Sequence, residues 1–216
     1  TFAPILDPAS VGNGVHIHMS FLDANDNPVT YDAERSGGMS RLTEAFAGGV
    51  LKYLDGILAM TAPSVVSYLR LTPHRWSAAY NNLGFRDREA SLRICPVTSK
   101  DPTAIERQFN LEYRAADAAA CPHLALAAIV HAGVQGIEEG LESPITEDDL
   151  SLLSSETLAA RNLIRLPESL EQALQRMDAN ECVKSWFPET FLPVYLAHKA
   201  SEIAHLANMT DLERCS

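Results

Sequence analysis

The chain has 216 residues, and 46% of them are hydrophobic, which is enough for a substantial core and too much for a disordered polymer. Its formal net charge of −11 argues against a non-specific nucleic-acid surface or an anionic-membrane surface. The four cysteines lie far apart without a C-x-x-C pair, which favours reduced thiols in a cytoplasmic protein. Because the sequence begins with Thr1 and shows no signal peptide, we expect a piece of a longer cytoplasmic protein.

The first predicted element is a strand in residues 14–20. A two-residue period places His16, His18 and Ser20 on one face and apolar residues on the other. Imidazoles at this spacing lie about 7 Å apart, too far apart for one compact structural zinc site. They suit one metal contact and one contact of another kind. The structural alternative is a pair of half-exposed polar residues on an antiparallel sheet.

The remaining elements follow in chain order. Residues 23–38 predict a hairpin or surface loop, and residues 39–60 predict one helix that starts at Ser36 or Ser40 and ends before Pro63. Short strands are predicted at residues 64–71, 90–94 and 109–114. A buried helix at residues 122–141 and a small helical tail follow. The predicted fold class is α+β, a mostly antiparallel sheet packed by helices, divided into residues 1–142 and a helical appendage, 143–216.

Seven arginines cluster between residues 70 and 114 of this acidic chain: Arg70, Arg75, Arg86, Arg88, Arg93, Arg107 and Arg114. For Arg75, Arg86 and Arg107, surface salt bridges are the favoured interpretation. Arginines held on strands can grip carboxylate or phosphate oxygens in pairs and, with metal ions, stabilise a transferring phosphoryl group. The sequence has no G-x-x-x-x-G-K-[ST] or G-x-G-x-x-G loop, so another device must hold any nucleotide.

Five segments, in order along nearly the whole chain, resemble motifs of the glutamine synthetase family. Residues 14–20 (GVHIHMS) resemble its G-[MV]-H-x-H-x-S strand, and residues 67–73 (SYLRLTP) its S-Y-x-R-L-x-P segment. Residues 87–94 (DREASLRI) resemble its N-R-x-A-x-x-R-[IV] strand, 111–114 (LEYR) its [IL]-E-x-R strand, and 166–174 (LPESLEQAL) its L-P-x-S-L-x-x-A-L element. One match is weak, but the ordered set is specific. The chain resembles the C-terminal part of that family's catalytic domain.

The resemblance implies an ATP-dependent ligation in which ATP phosphorylates the γ-carboxylate of glutamate and an amine then displaces the phosphate. His16 and Glu112 would bind a Mg²⁺ or Mn²⁺ ion, while His18 and Ser20 would lie against ATP. The implied catalytic groups, which contact the phosphates of ATP, the acyl phosphate and the transferred phosphoryl group, are Arg88, Arg93 and Arg114. Two of them, Arg88 and Arg93, also count as ATP-binding residues.

The implied substrate site contains Arg70, which would hold the carboxylate of glutamate, together with Gly12 and Trp76. Ammonia-using members of the family carry a glutamate where this chain has Trp76, and an indole cannot deprotonate ammonium. A larger amine therefore becomes plausible as acceptor, as in γ-glutamylpolyamine and γ-glutamylmethylamide synthetases. Val11 replaces a family asparagine, which weakens the usual backbone grip on glutamate.

By the same resemblance, the family's other metal-binding glutamates and its small N-terminal domain precede the histidine strand, and the full-length protein forms a ring-shaped homo-oligomer. We therefore expect residues 1–216 by themselves to bind metal poorly and to lack ligase activity. The alternatives are a catalytically silent scaffold or regulatory relative and, third, a phosphotransferase that needs no amine. The intact His16, Glu112, Arg93 and Arg114 argue against the silent scaffold. Neither nucleic acid nor a membrane is expected as a partner.

Overall fold

The computed structural model describes residues 1–215 and builds them around a five-stranded mixed sheet. The strands are β1 (Gly14–Met19), β2 (Leu83–Phe85), β3 (Leu92–Ile94), β4 (Leu111–Asp117) and β5 (Ile145–Thr146), in the order β1-β4-β3-β2-β5. β4 runs antiparallel to β1 and β3, whereas β2 runs parallel to β3 and β5. The predicted α+β class is confirmed. The parallel pairs of β2 were not predicted.

Helices cover this sheet and make up most of the chain after β4. They are α1 (Arg41–Lys52), α2 (Leu54–Thr61), α3 (Pro102–Gln108), α4 (Pro122–Glu139), α5 (Ser155–Ala160), α6 (Leu170–Ala179), α7 (Glu181–Ser185), α8 (Phe191–Leu206) and α9 (Asp211–Arg214). None of the helices within residues 1–215 is long and apolar enough to cross a membrane.

The predicted single helix at residues 39–60 is two helices. Of the two candidate caps, Ser40 is the one that caps α1, because its side chain accepts a hydrogen bond from the backbone N–H of Thr43. The break lies at Tyr53, whose φ of −99° and ψ of 4° leave the helical region. The core-facing period continues across this break, so hydrophobic spacing alone could not reveal it.

Two further predictions about residues 64–115 were wrong. The predicted strand at 64–71 contains the 3₁₀ helix Val65–Leu69, which a capping box between Ser64 and Ser67 starts. α3 was missed although Asp101 and Pro102 form a typical helix start, with the Asp101 carboxylate accepting from the N–H of Ala104. Local side-chain-to-backbone hydrogen bonds decide both segments, whereas the prediction relied on apolar patterning.

α4 packs closely on α1, but it is not the fully buried helix that was predicted. A Cβ atom placed on Gly49 of α1 would lie 2.1 Å from the carbonyl oxygen of Ala132 on α4, so the two backbones touch. The opposite side of α4 presents a row of solvent-exposed apolar side chains: Leu126, Val130, Val134 and Ile137. Its high apolar content therefore does not mean burial on all sides.

The division between residues 1–142 and 143–216 stays a prediction. β5 lies in the second part and pairs with β2 in the first. α6, also in the second part, packs against α2 through a buried stripe of Leu170, Ala173, Leu174 and Met177. The two parts therefore share one hydrophobic core.

Candidate active site

Glu112 occupies the centre of the candidate site because β4 lies between β1 and β3. The strand register pairs Glu112 with His18 on β1 and with Arg93 on β3. Residues directly opposite each other on neighbouring strands present their side chains on the same face of the sheet. The sheet therefore brings an acid, an imidazole and a guanidinium together from three segments that are distant in sequence.

Both carboxylate oxygens of Glu112 accept hydrogen bonds from cations or an imidazole. Oε1 lies 2.8 Å from Nδ1 of His16 and 2.8 Å from Nη1 of Arg114. Oε2 accepts from Nε of Arg93 at 2.5 Å and also forms an ion pair with Nη2 of that residue. The side chains of Glu112, Arg114 and Arg93 are 2%, 4% and 14% exposed, so this network is shielded from water.

The electrostatics of the network fix the charge of Glu112. Burial by itself would raise the pKa of Glu112, but the charges of Arg114 and Arg93 outweigh it and hold the pKa below its usual value. Burial, followed by the charge of Arg114, lowers the pKa of His16. At neutral pH the site therefore contains a carboxylate and a neutral imidazole. With the proton on Nδ1 donated to Glu112, the Nε2 lone pair of His16 is available to a ligand.

A β-bulge sets the position of Arg114. Val15 pairs with Ala116 and Ile17 with Tyr113, so two residues of β4 lie opposite His16 alone. A bulge of this kind bends the strand and redirects side chains. Here it brings Nη1 of Arg114 to 3.3 Å from Nδ1 of His16. Glu112 and Arg114, two residues apart on β4, still lie on the same face, because Nη1 of Arg114 donates to Oε1 of Glu112 at 2.8 Å.

Next to the network lies an arginine-lined cleft of about 390 Å³. Its lining residues are Val11, Gly12, Gly14, His16, Arg70, Arg75, Trp76, Arg88, Arg93 and Arg114. Five of the ten carry a guanidinium and none carries a carboxylate. Such a cleft attracts an anion with several charges. We name it the arginine cleft.

Arg70 forms the buried wall of the arginine cleft. Its Nη1 donates to Oγ of Ser77 at 2.9 Å and its Nη2 to the carbonyl oxygen of Ala116 at 2.8 Å, while Nε has no hydrogen-bond partner among the described residues. Gly12 lies against it with a φ of +77°, and a Cβ there would be 3.0 Å from Cδ of Arg70 and 2.7 Å from a backbone oxygen. Both the backbone conformation and the close approach require glycine at this position.

Not all candidate residues line the arginine cleft. His18 is half exposed, lies 3.7 Å from Glu112, and hydrogen-bonds through Nδ1 to Asn110 at 2.8 Å. Ser20 lies beyond the end of β1 and lines a separate cavity. Arg88 is in the cleft, and its carbonyl oxygen accepts from Nε of Arg114 at 3.2 Å. The predicted contacts of His18 and Ser20 with ATP stay predictions.

Sequence reasoning missed the role of Arg75. The interpretation of Arg75 as a surface salt bridge was wrong, because its Nη1 donates to the carbonyl oxygens of Pro8 and Ser10 at 2.8 and 2.7 Å. No sequence pattern identifies such a backbone contact. Cys95 lies 3.6 Å from Oε2 of Glu112, and burial raises its pKa to about 11, so the thiol stays protonated. A protonated thiol is a poor nucleophile.

The donor set of the network is the kind that Mg²⁺ or Mn²⁺ binds, but it is small. His16 offers a ring nitrogen and Glu112 offers oxygens, each of which already accepts from a guanidinium. Within residues 1–215, no three His, Cys, Asp or Glu side chains converge on a point where a metal ion could sit. These two residues thus fit as part of a metal site whose other ligands come from water, phosphate or further protein groups.

The fold and the site together define an α+β domain with a cleft lined by five arginines. The family model described as glutamine synthetase, catalytic domain, matches residues 1–215. The chain therefore belongs to the glutamine synthetase family, a family of ligases.

Individual relatives agree with this assignment. The chain is 32% identical to a gamma-glutamylpolyamine synthetase, GlnA3, of Streptomyces coelicolor over 98% of its own length and 45% of that protein. It is also 32% identical to a glutamine synthetase of Vibrio cholerae over 94% of its own length and 42% of the relative. The chain therefore spans about half the length of the curated relatives it matches.

A solved structure shows the same fold. A crystal structure described as a novel glutamine synthase homolog superimposes with a TM-score of 0.86 at 42% sequence identity. The match covers 99% of this chain and 46% of that one. The family resemblance read from the five motifs is thus confirmed by comparisons of both sequence and structure.

Proposed function

We propose that this chain forms the phosphate-contacting part of the active site of an ATP-dependent carbon–nitrogen ligase. In the full-length protein, ATP phosphorylates the γ-carboxylate of glutamate, and ammonia or an amine then displaces the phosphate. The observation that carries the proposal is the buried Glu112, which ties Arg93, Arg114 and His16 to the floor of the arginine cleft.

The arginines suit phosphoryl transfer because negative charge accumulates on oxygens during that step. Arg93 and Arg114 are held in place by Glu112 before any substrate binds, so they need no reorganisation when charge develops. Arg88, in the same cleft, adds a third positive charge and contacts phosphate in this scheme. Such fixed cations stabilise a transferring phosphoryl group.

A divalent metal ion would supply charge neutralisation at the ATP phosphates. His16 and Glu112 would be its ligands from this chain. Two protein ligands give a weak site by themselves, so we expect residues 1–216 alone to release no phosphate from ATP. His18 and Ser20 are proposed to lie against ATP beyond the metal.

Arg70 is proposed to bind the carboxylate of glutamate at the inner wall of the cleft. Ser77 and the carbonyl of Ala116 hold two of its guanidinium nitrogens, which fixes the direction of its charge. Gly12 lets the neighbouring backbone pass close to the aliphatic part of this side chain. A fixed guanidinium binds a carboxylate with less loss of rotational freedom than a flexible one.

Among acceptors, a larger amine is favoured over ammonia. Trp76 is 68% exposed at the cleft, and the cleft lining contains no carboxylate that could deprotonate ammonium. An indole face can instead hold an alkylammonium group through a cation–π contact before it loses its proton. The relatives do not decide this point, because the polyamine synthetase and the glutamine synthetase are equally identical to the chain.

The decisive test is phosphate release by the full-length protein with ATP, glutamate, Mg²⁺ or Mn²⁺, and a panel of ammonium, methylamine and a polyamine. We expect release that requires both glutamate and an acceptor and is fastest with an organic amine. Arg93→Gln should lower kcat on the order of 100-fold, whereas Arg176→Gln, at an exposed arginine of α6, should not. No release with any acceptor would refute the ligase and leave the silent scaffold.

Cytoplasmic location and a ring-shaped homo-oligomer are part of the same proposal for the full-length protein. Membership in the family supports both. Gel filtration with light scattering of the full-length protein would measure the subunit number.

A further inference from the structure

The loop formed by residues 74–76 carries Trp76 to the mouth of the arginine cleft in an unusual backbone conformation. His74 has a φ of +60° and Trp76 a φ of +53°, and neither is a glycine. Side chains with a Cβ rarely adopt this left-handed region, since the Cβ crowds the backbone. Two such residues in a three-residue loop persist only when the surroundings hold them there.

The carboxylate of Glu89 holds the loop in this conformation. Oε2 of Glu89 accepts a hydrogen bond from the backbone N–H of His74 at 2.8 Å, and Oε1 accepts from the N–H of Trp76 at 2.7 Å. Glu89 is itself fixed, because its own N–H donates to the carboxylate of Asp87 at 2.8 Å. Hydrogen bonds to an ionised acceptor are the stronger kind. Glu89 therefore clamps both left-handed residues at once.

The loop is also connected to the catalytic network. Its last carbonyl oxygen, that of Trp76, accepts from Nη2 of Arg114 at 3.2 Å, and Nη1 of the same guanidinium contacts Glu112. Arg75 anchors the loop from the other side through the carbonyls of Pro8 and Ser10. The indole itself makes no ring contact with another aromatic side chain among residues 1–215. Its position is therefore set by the backbone of the loop.

We propose that Glu89 is a positioning residue that fixes Trp76 at the cleft mouth and so determines which amine the site accepts. This rests on the proposed ligase function. Glu89 does not line the arginine cleft, so it acts through the loop and not by touching the acceptor. Without the clamp the two left-handed residues relax, the indole leaves the mouth, and the site loses its discrimination between an organic amine and ammonium. Binding of ATP and glutamate, which lie against the arginines, changes little.

The first part of the test, the trypsin arm, measures the conformation of the loop and needs no enzymatic activity. Trypsin cuts after Arg75 only when the loop leaves its clamped conformation, so fragments from folded protein report the hold directly. We expect Glu89→Ala to be cut between Arg75 and Trp76 about tenfold faster than the natural protein. Glu89→Gln keeps one acceptor oxygen, so its cleavage rate should lie between those of Glu89→Ala and the natural protein. Glu138→Gln, at an exposed glutamate of α4, is the matched control, and trypsin should cut it at the same rate as the natural protein.

The acceptor arm measures kcat/KM for the diamine putrescine and for ammonium in the full-length protein and the same variants. We expect Glu89→Ala to reduce the putrescine-to-ammonium ratio about tenfold while KM for ATP and for glutamate stays within about twofold. Circular dichroism confirms that each variant is folded. The partial effect of Glu89→Gln in both arms would separate a clamp from a general loss of structure.

Either of two results would overturn the inference: cleavage of Glu89→Ala at the natural rate, or an unchanged acceptor ratio in a variant whose loop is cut faster. A parallel rise of KM for ATP, glutamate and amine would also overturn it, because that indicates a distorted site. If the natural protein releases no phosphate with any acceptor, the ligase proposal and the role in selection both fail. The trypsin arm then still decides whether Glu89 holds the loop.

Discussion

Replacing Glu112 by glutamine tests whether the buried charge network stabilises the fold. The substitution preserves shape but removes the negative charge between two guanidiniums that are 4% and 14% exposed. Removing one partner of a buried ion pair costs about 3–5 kcal/mol. Arg114 keeps two carbonyl acceptors, those of Arg88 and Trp76, so its charge stays partly compensated. We therefore expect the lower end, a loss of about 3 kcal/mol in the free energy of unfolding.

The matched control is Glu44→Gln. Glu44 also accepts from two arginines, Arg35 at 2.6 Å and Arg41 at 3.0 Å, but these are 38% and 48% exposed. Exposed pairs of this kind contribute less than about 1 kcal/mol. The two variants thus differ chiefly in how far the arginines are removed from water.

Urea unfolding, followed by circular dichroism without ATP or divalent metal, measures both variants. With an m value of about 2 kcal/mol per molar urea, the midpoint of Glu112→Gln falls by about 1.5 M. A loss no larger than that of Glu44→Gln would refute the reasoning, because it would mean that the buried guanidiniums find other compensation. Removing the second partner as well, in Glu112→Gln with Arg93→Met, should recover part of the loss, since no uncompensated charge then remains at that side.

Two further predictions concern stability. Burial, opposed by Ser67 and Arg70, raises the pKa of Asp117. The folded protein therefore binds more protons at this site than the unfolded chain does. The resulting contribution to the free energy of unfolding is present at low pH and is lost as pH rises through the folded pKa. The unfolding free energy of Asp117→Asn minus that of the natural protein should therefore grow between about pH 4 and pH 7 in urea titrations, and a difference that shrinks would contradict the shift. Gly49→Ala should cost about 3 kcal/mol because its Cβ would meet the backbone of α4. Gly56→Ala, whose Cβ would meet side-chain atoms of Val183 and Asn180 at 3.0 and 3.1 Å and no backbone, should cost less than Gly49→Ala in the same assay.

The sequence was sufficient to identify the family and to predict which positions are candidates for the chemistry. The order of the five motifs identified the family, and the period of β1 placed His16 on the face that meets Glu112. Alternation placed Glu112 and Arg93 on the polar faces of their strands, but the register of β3 against β4 is what sets them opposite each other.

Other features followed from contacts that no local pattern encodes. The 3₁₀ turn at Val65–Leu69 replaced an expected strand because two serine side chains satisfy its backbone. α4 leaves one apolar side exposed because α1 contacts only the other. The parallel pairing of β2 depends on β5, which arrives from more than fifty residues later in the chain.

The sequence by itself determined which residues are candidates for the chemistry, because side-chain type and strand period are local properties. Only the tertiary structure decided how they are held: the bulge that turns Arg114 toward His16, the saturation of both Glu112 oxygens, and the grip of Glu89 on the Trp76 loop. Each of these depends on distances between backbones that are far apart in sequence. Such distances are set by packing of the whole domain, which the order of amino acids specifies but a local pattern does not reveal.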